Sequence, residues 1–430
     1  MSDDKIDVII VGGGIAGLTA GYLLAKKGQS VLLIERGNYC GSKNVTGGRI
    51  YTYSLEKIMP GFTKEAPLER KIMREKVCLM TNDSNVSLDF YSDKLGNVGS
   101  ESYSVLRASF DQWLQEKAED AGVQIVSGVR IDDLIVRDGH VCGVVAGEDK
   151  IEADVTILAD GVNSLLAEKI GLSKGLDPRQ VSVGAKEIIG LSEDVINDRF
   201  QCRTGEGAAW LFAGFPSGGR IGGGFLYTNR SSISLGVVCN VEDVSMGVRS
   251  VPELVEDLKA HPAIAPLIKG GKSLEYSAHL VPEGGLPMMP EIVGDGVLVI
   301  GDAAGFCLNL GYAVRGMDLA VISAECAAEA IERAKESKDY SKVSLSNYQQ
   351  LLDDSILMKD MKLYRKVPHF MEKTRRMYAE YPNLAVDVLK DMFVVDGTPA
   401  KKMRQMVVPH LKKIGFGNLL KDMVEGGRSL

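Results

Sequence analysis

The residues best suited to chemistry lie near the amino terminus, where three glycines have the spacing of a nucleotide-binding turn. Gly12, Gly14 and Gly17 form the pattern G-x-G-x-x-G directly after an apolar run over 6–11. Gly12 suits a tight turn, Gly14 lets the backbone approach a pyrophosphate, and Gly17 lets a helix pack closely on a strand. The spacing therefore predicts a buried parallel strand that leads into a helix.

Residues after this turn supply two further parts of such a site. Ile15 and Ala16 begin the predicted helix, whose unpaired N–H groups and positive dipole end favour phosphates. Glu35 ends a second apolar run, where its carboxylate is placed to accept hydrogen bonds from a ribose. Arg36 opens a glycine-rich polar segment predicted to lie at the ligand. Together these features predict a bound dinucleotide; the alternative is a glycine-rich turn without a ligand.

The composition limits the partners and the compartment. The chain has 430 residues and a net charge of −7, which argues against nucleic acid as a partner. Its seven cysteines are scattered without a C-x-x-C pair, so reduced thiols are expected and no metal site is predicted. The first strand begins within six residues and no run of roughly 18 apolar residues occurs. A cytoplasmic protein is expected, without a signal peptide or a membrane span.

The order of the predicted elements gives the fold class. An α/β protein is predicted, with a Rossmann-like nucleotide domain assembled from discontinuous segments, because the amino-terminal unit is completed by a strand–Gly–Asp at Gly301 and Asp302. A β-rich substrate domain is inserted between these pieces, and a helical region with breaks at its prolines, Pro409 included, ends the chain. The predicted boundaries are 1–75, 101–175 and 290–340 for the nucleotide domain, 76–100 and 176–289 for the β-rich domain, and 341–430 for the helical region.

The last part of the chain reverses the charge balance. Residues 401–421 contain six Lys or Arg and no acid, with apolar residues between them. One interpretation is a solvated helical cap. The other is a surface for an anionic membrane or an acidic partner.

Two motifs together resemble the glutathione-reductase-2 flavoprotein superfamily. They are the segment 12–35 and the string Gly301-Asp302-Ala303-Ala304-Gly305. The resemblance implies FAD as the cofactor, with Asp302 binding the ribityl chain. It also implies that the segment containing Asn309 and Gly311 runs under the isoalloxazine ring.

A third motif resembles the hydroxylase branch of this superfamily. Asp160 and Gly161 begin its pattern D-G-x-x-S-x-x-R, and Ser164 is present, but Ala167 replaces the arginine. In hydroxylases that arginine helps to handle the nicotinamide cofactor. Its replacement favours electrons that arrive from another source.

Longer strings resemble the FixC family of electron-transfer flavoprotein–quinone oxidoreductase-like proteins over nearly the whole chain. The strings are 41–49, 103–107, 222–228, 276–279 and 301–318. The resemblance implies electron-transfer flavoprotein subunits as donor and a quinone as acceptor. Long-chain relatives carry a cysteine-rich [4Fe–4S] segment, which is missing here after Cys326. A small ferredoxin-like iron–sulfur partner subunit is therefore implied, with peripheral contact on the inner face of the cell membrane.

Other candidate residues keep two interpretations. Lys43, Asn44 and Thr46, beside Gly47, either close over the flavin or form a surface loop. Arg107 either pairs with an FAD phosphate or caps a helix. His279 and Cys307 are more simply structural than catalytic, and no catalytic residue is predicted. Aromatic residues in 210–212 and 225–227 fit either an apolar quinone pocket or the core.

Two other functions remain open from the sequence. One is a flavoenzyme similar to geranylgeranyl reductases or aromatic hydroxylases. The other is a non-catalytic assembly subunit that only binds partners. Reduction by NAD(P)H would favour the first, and the absence of bound flavin would favour the second.

Overall fold

The computed structural model describes residues 6–43 and 48–430. Strands β1–β19 and helices α1–α16 are numbered in chain order. Within the described residues the strands form two large sheets and one small ribbon. The α/β class and the helical carboxyl-terminal region predicted from the sequence are confirmed.

The first sheet contains the nucleotide-type unit. Its path is β16-β17-β10-β1-β2-β7, and β1 pairs in parallel with both β10 and β2, as β10 does with β17. Its strands are β1 (Ile6–Val11), β2 (Val31–Glu35), β7 (Gln124–Ser127), β8 (Asp133–Arg137), β9 (His140–Ala146), β10 (Asp149–Leu158), β16 (Val293–Gly294) and β17 (Val297–Val299). The two apolar runs at the amino terminus thus form β1 and β2, whose side chains are mostly buried on both faces.

The second sheet has the path β15-β11-β14-β13-β12-β4-β6-β3, with β5 paired to β4. Its strands are β3 (Arg49–Tyr51), β4 (Leu68–Met80), β5 (Asn85–Tyr91), β6 (Ser102–Val105), β11 (Val181–Gly190), β12 (Glu206–Gly214), β13 (Gly222–Thr228), β14 (Ser232–Asn240) and β15 (Lys272–Pro282). Strands β3 and β6 belong to this sheet although they fall within the segments predicted for the nucleotide domain. The predicted domain boundaries stay a prediction.

Helices cover the first sheet and form the end of the chain. They are α1 (Ile15–Lys26), α2 (Tyr53–Ile58), α3 (Arg107–Asp120), α4 (Leu165–Lys169), α5 (Glu193–Phe200), α6 (Val241–Ser245), α7 (Val251–Ala260), α8 (Ala265–Ile268), α9 (Met317–Ser337), α10 (Lys342–Leu345), α11 (Asn347–Asp354), α12 (Ile356–Leu363), α13 (Val367–Lys373), α14 (Glu380–Phe393), α15 (Met403–Ile414) and α16 (Phe416–Ser429). The ribbon pairs β18 (Leu308–Asn309) with β19 (Val314–Arg315).

The helix break predicted at Pro409 from the sequence is wrong. Pro409 lies inside α15 rather than at its end. A proline removes the hydrogen bond to the carbonyl four residues earlier, here that of Gln405. Both residues are exposed, so water can solvate the freed carbonyl and the helix continues.

The first core joins α1 to its neighbours. Leu18 and Leu24 of α1 are fully buried, together with Phe110 of α3 and Leu319 of α9. Gly17 allows α1 to approach the sheet, because a Cβ there would stand 2.0 Å from the Gly12 carbonyl oxygen. The packing role predicted for this glycine follows from that close approach.

Gly17 and Gly417 provide a matched pair of helical glycines for a stability test. Alanine gains up to about 1 kcal/mol of helix propensity at either position. We expect Gly17→Ala nevertheless to lower the free energy of unfolding by about 1–3 kcal/mol, through the clash with the Gly12 carbonyl. At Gly417 a Cβ would meet no described atom within 4 Å, so Gly417→Ala should keep or slightly raise stability. Urea denaturation of the cofactor-free variants measures both free energies of unfolding. Equal values for Gly17→Ala and Gly417→Ala would contradict the tight packing at Gly17.

Candidate active site

A cavity of about 1250 Å³ runs from the edge of the first sheet to the carboxyl-terminal helices. Small-molecule sites usually occupy roughly 300–1,000 Å³, so this cavity has room for a dinucleotide and part of a second molecule. Its lining includes most of the candidate cofactor residues within the described ranges. They are Gly12, Gly14, Ile15, Ala16, Glu35, Arg36, Lys43, Arg107, Asp160, Gly161, Asp302, Asn309 and Gly311.

The carboxyl ends of three parallel strands bring these residues together. Backbone N–H groups donate across the ends, from Ala159 to the Val11 carbonyl at 2.8 Å and from Ile300 to the Leu158 carbonyl at 3.0 Å. The loops that follow β1, β10 and β17 therefore leave the sheet side by side. Ligands of open α/β sheets bind at this edge.

The glycine turn after β1 depends on a close backbone approach. Gly12 has a φ of +110°, and a Cβ there would lie 2.3 Å from the Ala159 carbonyl oxygen. Helix α1 starts at the cavity and has no acidic residue in its first turn. Its free N–H groups and dipole therefore offer an anion site that no carboxylate of that turn opposes.

Glu35 is held rigidly at the end of β2. Its Oε2 accepts a hydrogen bond from the Gly13 N–H at 2.7 Å, and its Oε1 accepts one from the Gly37 N–H at 2.6 Å. Each carboxylate oxygen keeps further acceptor capacity toward the cavity. This arrangement suits a sugar hydroxyl next to the glycine turn.

Arg107 and Asp302 form the charged centre of the cavity. The Arg107 guanidinium is buried and binds the Asp111 carboxylate through two hydrogen bonds of 2.8 Å. Burial raises the pKa of the Asp302 carboxyl, and the charge of Arg107 lowers it. Arg107 thus pairs with Asp111 within its own helix rather than capping that helix, and it also lines the cavity. Its pairing with an FAD phosphate stays a prediction.

Asp160 follows β10 on the same edge. The Ser164 hydroxyl donates to its Oδ1 at 3.2 Å. Burial raises the pKa of Asp160 to about 6, against the lowering effects of the Ser164 hydrogen bond and the Arg36 charge. Ala167, where hydroxylases carry arginine, is fully buried in the core.

Asn309 connects the ribbon to a carboxylate that the sequence did not single out. Its Nδ2 donates to Oε1 of Glu283 at 2.9 Å, and its Oδ1 accepts from the Gly311 N–H at 2.9 Å. The Ser182 hydroxyl donates to Oε2 of Glu283. The amide of Asn309 is thus committed to holding this corner of the cavity.

Two predicted glycines lie behind the cavity wall instead of on it. Gly17 packs α1 on the first sheet. Gly301 has a φ of +63°, and a Cβ there would lie 2.8 Å from the Cβ of Ala16. Their role in the structure is packing. Asn44, Thr46 and Gly47 lie outside the described residues.

The second sheet lines part of the cavity with apolar side chains, as well as with Lys186 of β11 and His279 of β15. Leu211, Phe212, Phe225 and Tyr227 line it. Trp210 and Leu226 instead pack in the second core, to which Phe212 also belongs. Some of these side chains therefore line the cavity and others pack in the core, and the quinone pocket stays a prediction. Residues of the carboxyl-terminal region complete the wall, namely Pro368, Met371, Met377, Tyr378 and Tyr381.

Three titratable side chains on other elements also line the cavity. Burial lowers the pKa of Lys186 to about 8, which Glu275 opposes and Arg107 reinforces. Burial and the charges of Arg36 and Arg107 lower the pKa of His279. Burial raises the pKa of the Cys307 thiol well above its ordinary value, which fits the inert thiol expected from the sequence. Lys186 was missed; its only signal was a Lys–Glu pair inside an otherwise mostly apolar strand.

Comparisons with known proteins agree with this geometry. A family model described as "ETF-QO/FixC family C-terminal domain" matches residues 367–430, and one described as "FAD dependent oxidoreductase" matches residues 7–168. The probable electron transfer flavoprotein-quinone oxidoreductase YdiS of Escherichia coli is 52% identical over 430 residues, with 100% of both chains covered. Protein FixC of Salmonella typhi is 52% identical over 426 residues, with 99% of both chains covered.

A solved structure shares the fold at low identity. A geranylgeranyl bacteriochlorophyll reductase-like protein from Thermoplasma acidophilum superposes with a TM-score of 0.72 and 18% identity, covering 98% of this chain and 99% of that chain. The full-length relatives go further than the fold and confirm the resemblance predicted from the sequence. This chain belongs to the ETF-QO/FixC family and is an FAD-dependent oxidoreductase.

Proposed function

We propose that this chain passes electrons from an electron-transfer flavoprotein through FAD to a quinone, as the FixC-like subunit of a Fix-type complex. The observation that carries the proposal is the single cavity that joins the nucleotide-type edge of the first sheet to an apolar region under the carboxyl-terminal helices. Relatives that are 52% identical over the full length support it. One of them is named a probable electron transfer flavoprotein-quinone oxidoreductase.

The residues at the sheet edge suit FAD in both charge and hydrogen bonding. The pyrophosphate would lie at Gly12, Gly14 and the start of α1, and a ribose hydroxyl would donate to Glu35. Asp302 would accept a hydrogen bond from a hydroxyl of the ribityl chain. FAD supplies the redox chemistry when bound, and the protein positions it and sets its electrostatic environment.

The remaining predicted contacts surround that placement. Arg36, Lys43 and Arg107 supply positive charge near the phosphates, and Gly161 lets the loop after β10 turn with a φ of +81°. Asn309 and Gly311 would lie under the isoalloxazine ring. The predicted contacts of Asn44, Thr46 and Gly47 belong to the same proposal.

The acceptor would occupy the apolar extension. Phe225 and Tyr227 form one wall, and Met371 and Met377 belong to the wall on the carboxyl-terminal side. An apolar ring and its lipid tail gain free energy by leaving water for such a surface. Since the chain carries no cysteine cluster, iron–sulfur centres would come from a small ferredoxin-like partner subunit.

The decisive experiment reduces the purified holoprotein anaerobically with a reduced electron-transfer flavoprotein and then adds a soluble quinone. Flavin bleaching followed by its recovery supports the proposal. Failure of either half contradicts it. If neither half proceeds and no flavin co-purifies, the chain is an assembly subunit instead.

The first prediction concerns cofactor binding. Gly14→Val places a branched side chain where the pyrophosphate must approach the backbone, so we expect loss of FAD from the purified chain. The absorbance of the flavin per chain measures this, with circular dichroism to show that the variant is folded. Gly417→Val is the matched control and should keep FAD. A folded Gly14→Val variant with stoichiometric FAD would overturn the placement.

The second prediction concerns the electron donor. Position 167 carries a buried alanine instead of the hydroxylase arginine, and the sequence contains a single nucleotide-type glycine turn at 12–17. We therefore expect NADH and NADPH to reduce the flavin slowly and without saturation in stopped-flow mixing. Dithionite should bleach it as a positive control. Rapid, saturable bleaching by either nucleotide would favour the reductase or hydroxylase alternative.

The end of the chain fits a membrane surface. Among the described residues no helix is long and apolar enough to cross a bilayer. The carboxyl-terminal region nevertheless exposes apolar side chains, including Phe393, Val395, Met423 and Leu420. Exposed Lys and Arg residues lie over 401–421. We propose peripheral binding to an anionic membrane, which also holds the quinone.

The third prediction tests this contact with liposomes. Each Lys or Arg near an anionic bilayer contributes about 1 kcal/mol, and salt screens the field within roughly 8 Å at physiological strength. We expect salt-sensitive co-sedimentation with anionic vesicles that weakens when Lys401, Lys402, Arg404, Lys412 and Lys413 are all changed to Gln.

A matched variant changes five exposed cations elsewhere to Gln, namely Arg137, Lys150, Arg203, Lys269 and Lys272. It should sediment like the unchanged protein. Equal sedimentation of the carboxyl-terminal variant, or no binding at low salt, would remove the membrane role and leave the acidic-partner interpretation.

A further inference from the structure

Glu283 stands at the junction of the two halves of the cavity. It follows β15 and lines the cavity beside Asn309 on one side and Tyr378 on the other. Its side chain is half-buried and lines the cavity. An acidic group at this position is costly to ionise unless a nearby charge or hydrogen bonds compensate it.

The hydrogen bonds of Glu283 are few and come from neutral groups. The Ser182 hydroxyl and the Asn309 amide donate to its two oxygens. Burial raises the pKa of Glu283, and these two hydrogen bonds lower it without cancelling the rise. A carboxyl group in this setting is suited to hold a proton and to give it up, as a general acid does.

Among the described residues, no cation contributes to the pKa of Glu283, and the titratable groups whose own pKa responds to Glu283 carry no positive charge. They are Cys239 of β14, Cys307 before the ribbon, and Tyr378 of the turn before α14. Burial raises the pKa of all three groups, to about 12 for Cys239. They are therefore neutral at ordinary pH, and Glu283 is the group among them that can exchange a proton.

We infer that the Glu283 carboxylic acid protonates the quinone during its reduction. This inference rests on the proposed function, because a quinone must lie in the apolar extension next to Glu283. Its position, one hydrogen bond from the segment assigned to the flavin ring, places it between the electron donor and the acceptor. Glu283 is then a catalytic residue in a reaction whose electron source is the flavin.

The step balances in protons and electrons. A quinone takes two electrons and two protons to become a quinol. FAD, when bound and reduced, would supply both electrons and one proton. The O–H bond of Glu283 breaks, a new O–H bond forms on the quinone oxygen, and the carboxylate left behind takes a proton from water. Water reaches the cavity at its open end, where the exposed residues Tyr312 and Leu430 line it.

The competing explanation is purely structural, with Glu283 holding Ser182 and Asn309 in place. Glu283→Gln separates the two explanations, because the amide oxygen still accepts from Asn309 and the amide N–H can donate to the Ser182 hydroxyl. The variant therefore keeps the contacts and loses the proton. Glu148→Gln, an exposed glutamate in the turn between β9 and β10, is the matched control.

The test follows reoxidation of the anaerobically reduced flavin by two acceptors. A soluble quinone takes electrons and protons, whereas ferricenium takes an electron alone. We expect Glu283→Gln to slow reoxidation by quinone on the order of 100-fold, as for loss of a positioned general acid, with ferricenium rates and flavin content unchanged. The quinone rate of the unchanged protein should fall as pH rises through the Glu283 pKa, and the slow rate of the variant should not.

A spectroscopic measurement reads the proton directly. Above the ordinary pKa of a glutamic acid, about 4.3, the infrared band of protonated carboxyls should be weaker in flavin-loaded Glu283→Gln than in the unchanged protein or in Glu148→Gln. Asp160 and Asp302, whose pKa is also raised by burial, account for the band that remains. Quinone rates equal in the variant and the unchanged protein, equal slowing with both acceptors, or no difference in the band would each overturn the inference. If the unchanged protein fails to reduce quinone at all, the proposed function fails instead.

If Glu283→Gln loses its flavin, the unchanged protein still decides the matter. Its quinone rate must fall with rising pH while its ferricenium rate stays level. If both rates are independent of pH, or if both fall together as pH rises, the role of Glu283 is overturned.

Discussion

The register of three parallel strands is the constraint on which the rest of the site depends. Val11 lies opposite both Leu158 and Ile34, and Leu158 lies opposite Val299. Because these strands end level with one another, the glycine turn, Asp160 and Asp302 leave the sheet at one edge. The contact is so close that a Cβ on Gly12 would overlap the neighbouring loop. The start of α1, Glu35 and Asp302 face one cavity only because this register holds.

Local signals account for the part of the site that the sequence could predict. Glycine spacing, two apolar runs and a strand followed by Gly-Asp are each contained in a few residues. Glu283 and Lys186 carry no such signal. They reach the cavity because β11 pairs with β15, about a hundred residues away along the chain, and a single sequence does not reveal which distant strands are neighbours. Pro409 shows the opposite error. A proline inside a sequence usually ends a helix, but α15 continues through Pro409 because the freed carbonyl is exposed to solvent.

Electrostatics divide the cavity into two functional halves. At the sheet edge, Arg36 and Arg107 lie among carboxylates, and their charges reach Asp160, Asp302 and His279. A chain with a net charge of −7 thus concentrates cations where a pyrophosphate would lie. Toward the carboxyl-terminal helices the lining gains aromatic and thioether groups alongside Arg365, His369 and Glu372. The titratable groups whose pKa responds to Glu283 are two cysteines and a tyrosine. The two ends of the cavity therefore differ, with more charged groups at the sheet edge and more aromatic and thioether groups under the carboxyl-terminal helices.

The carboxyl-terminal region closes this enclosure through contacts that only glycines permit. Gly285 and Gly311 have φ values of +60° and +79°; a Cβ on the first would stand 2.9 Å from Pro368, and one on the second would stand 3.1 Å from Met371. Both contacts come from α13, while Arg375 binds the buried Asp243 of α6 at 2.8 Å. Residues 367–430, which match the ETF-QO/FixC family model, therefore pack against Gly311 in the turn assigned to the flavin ring. They also pack against α6, which follows β14 of the second sheet. A shift of these helices would therefore change the carboxyl-terminal wall of the cavity and the surroundings of Glu283 together.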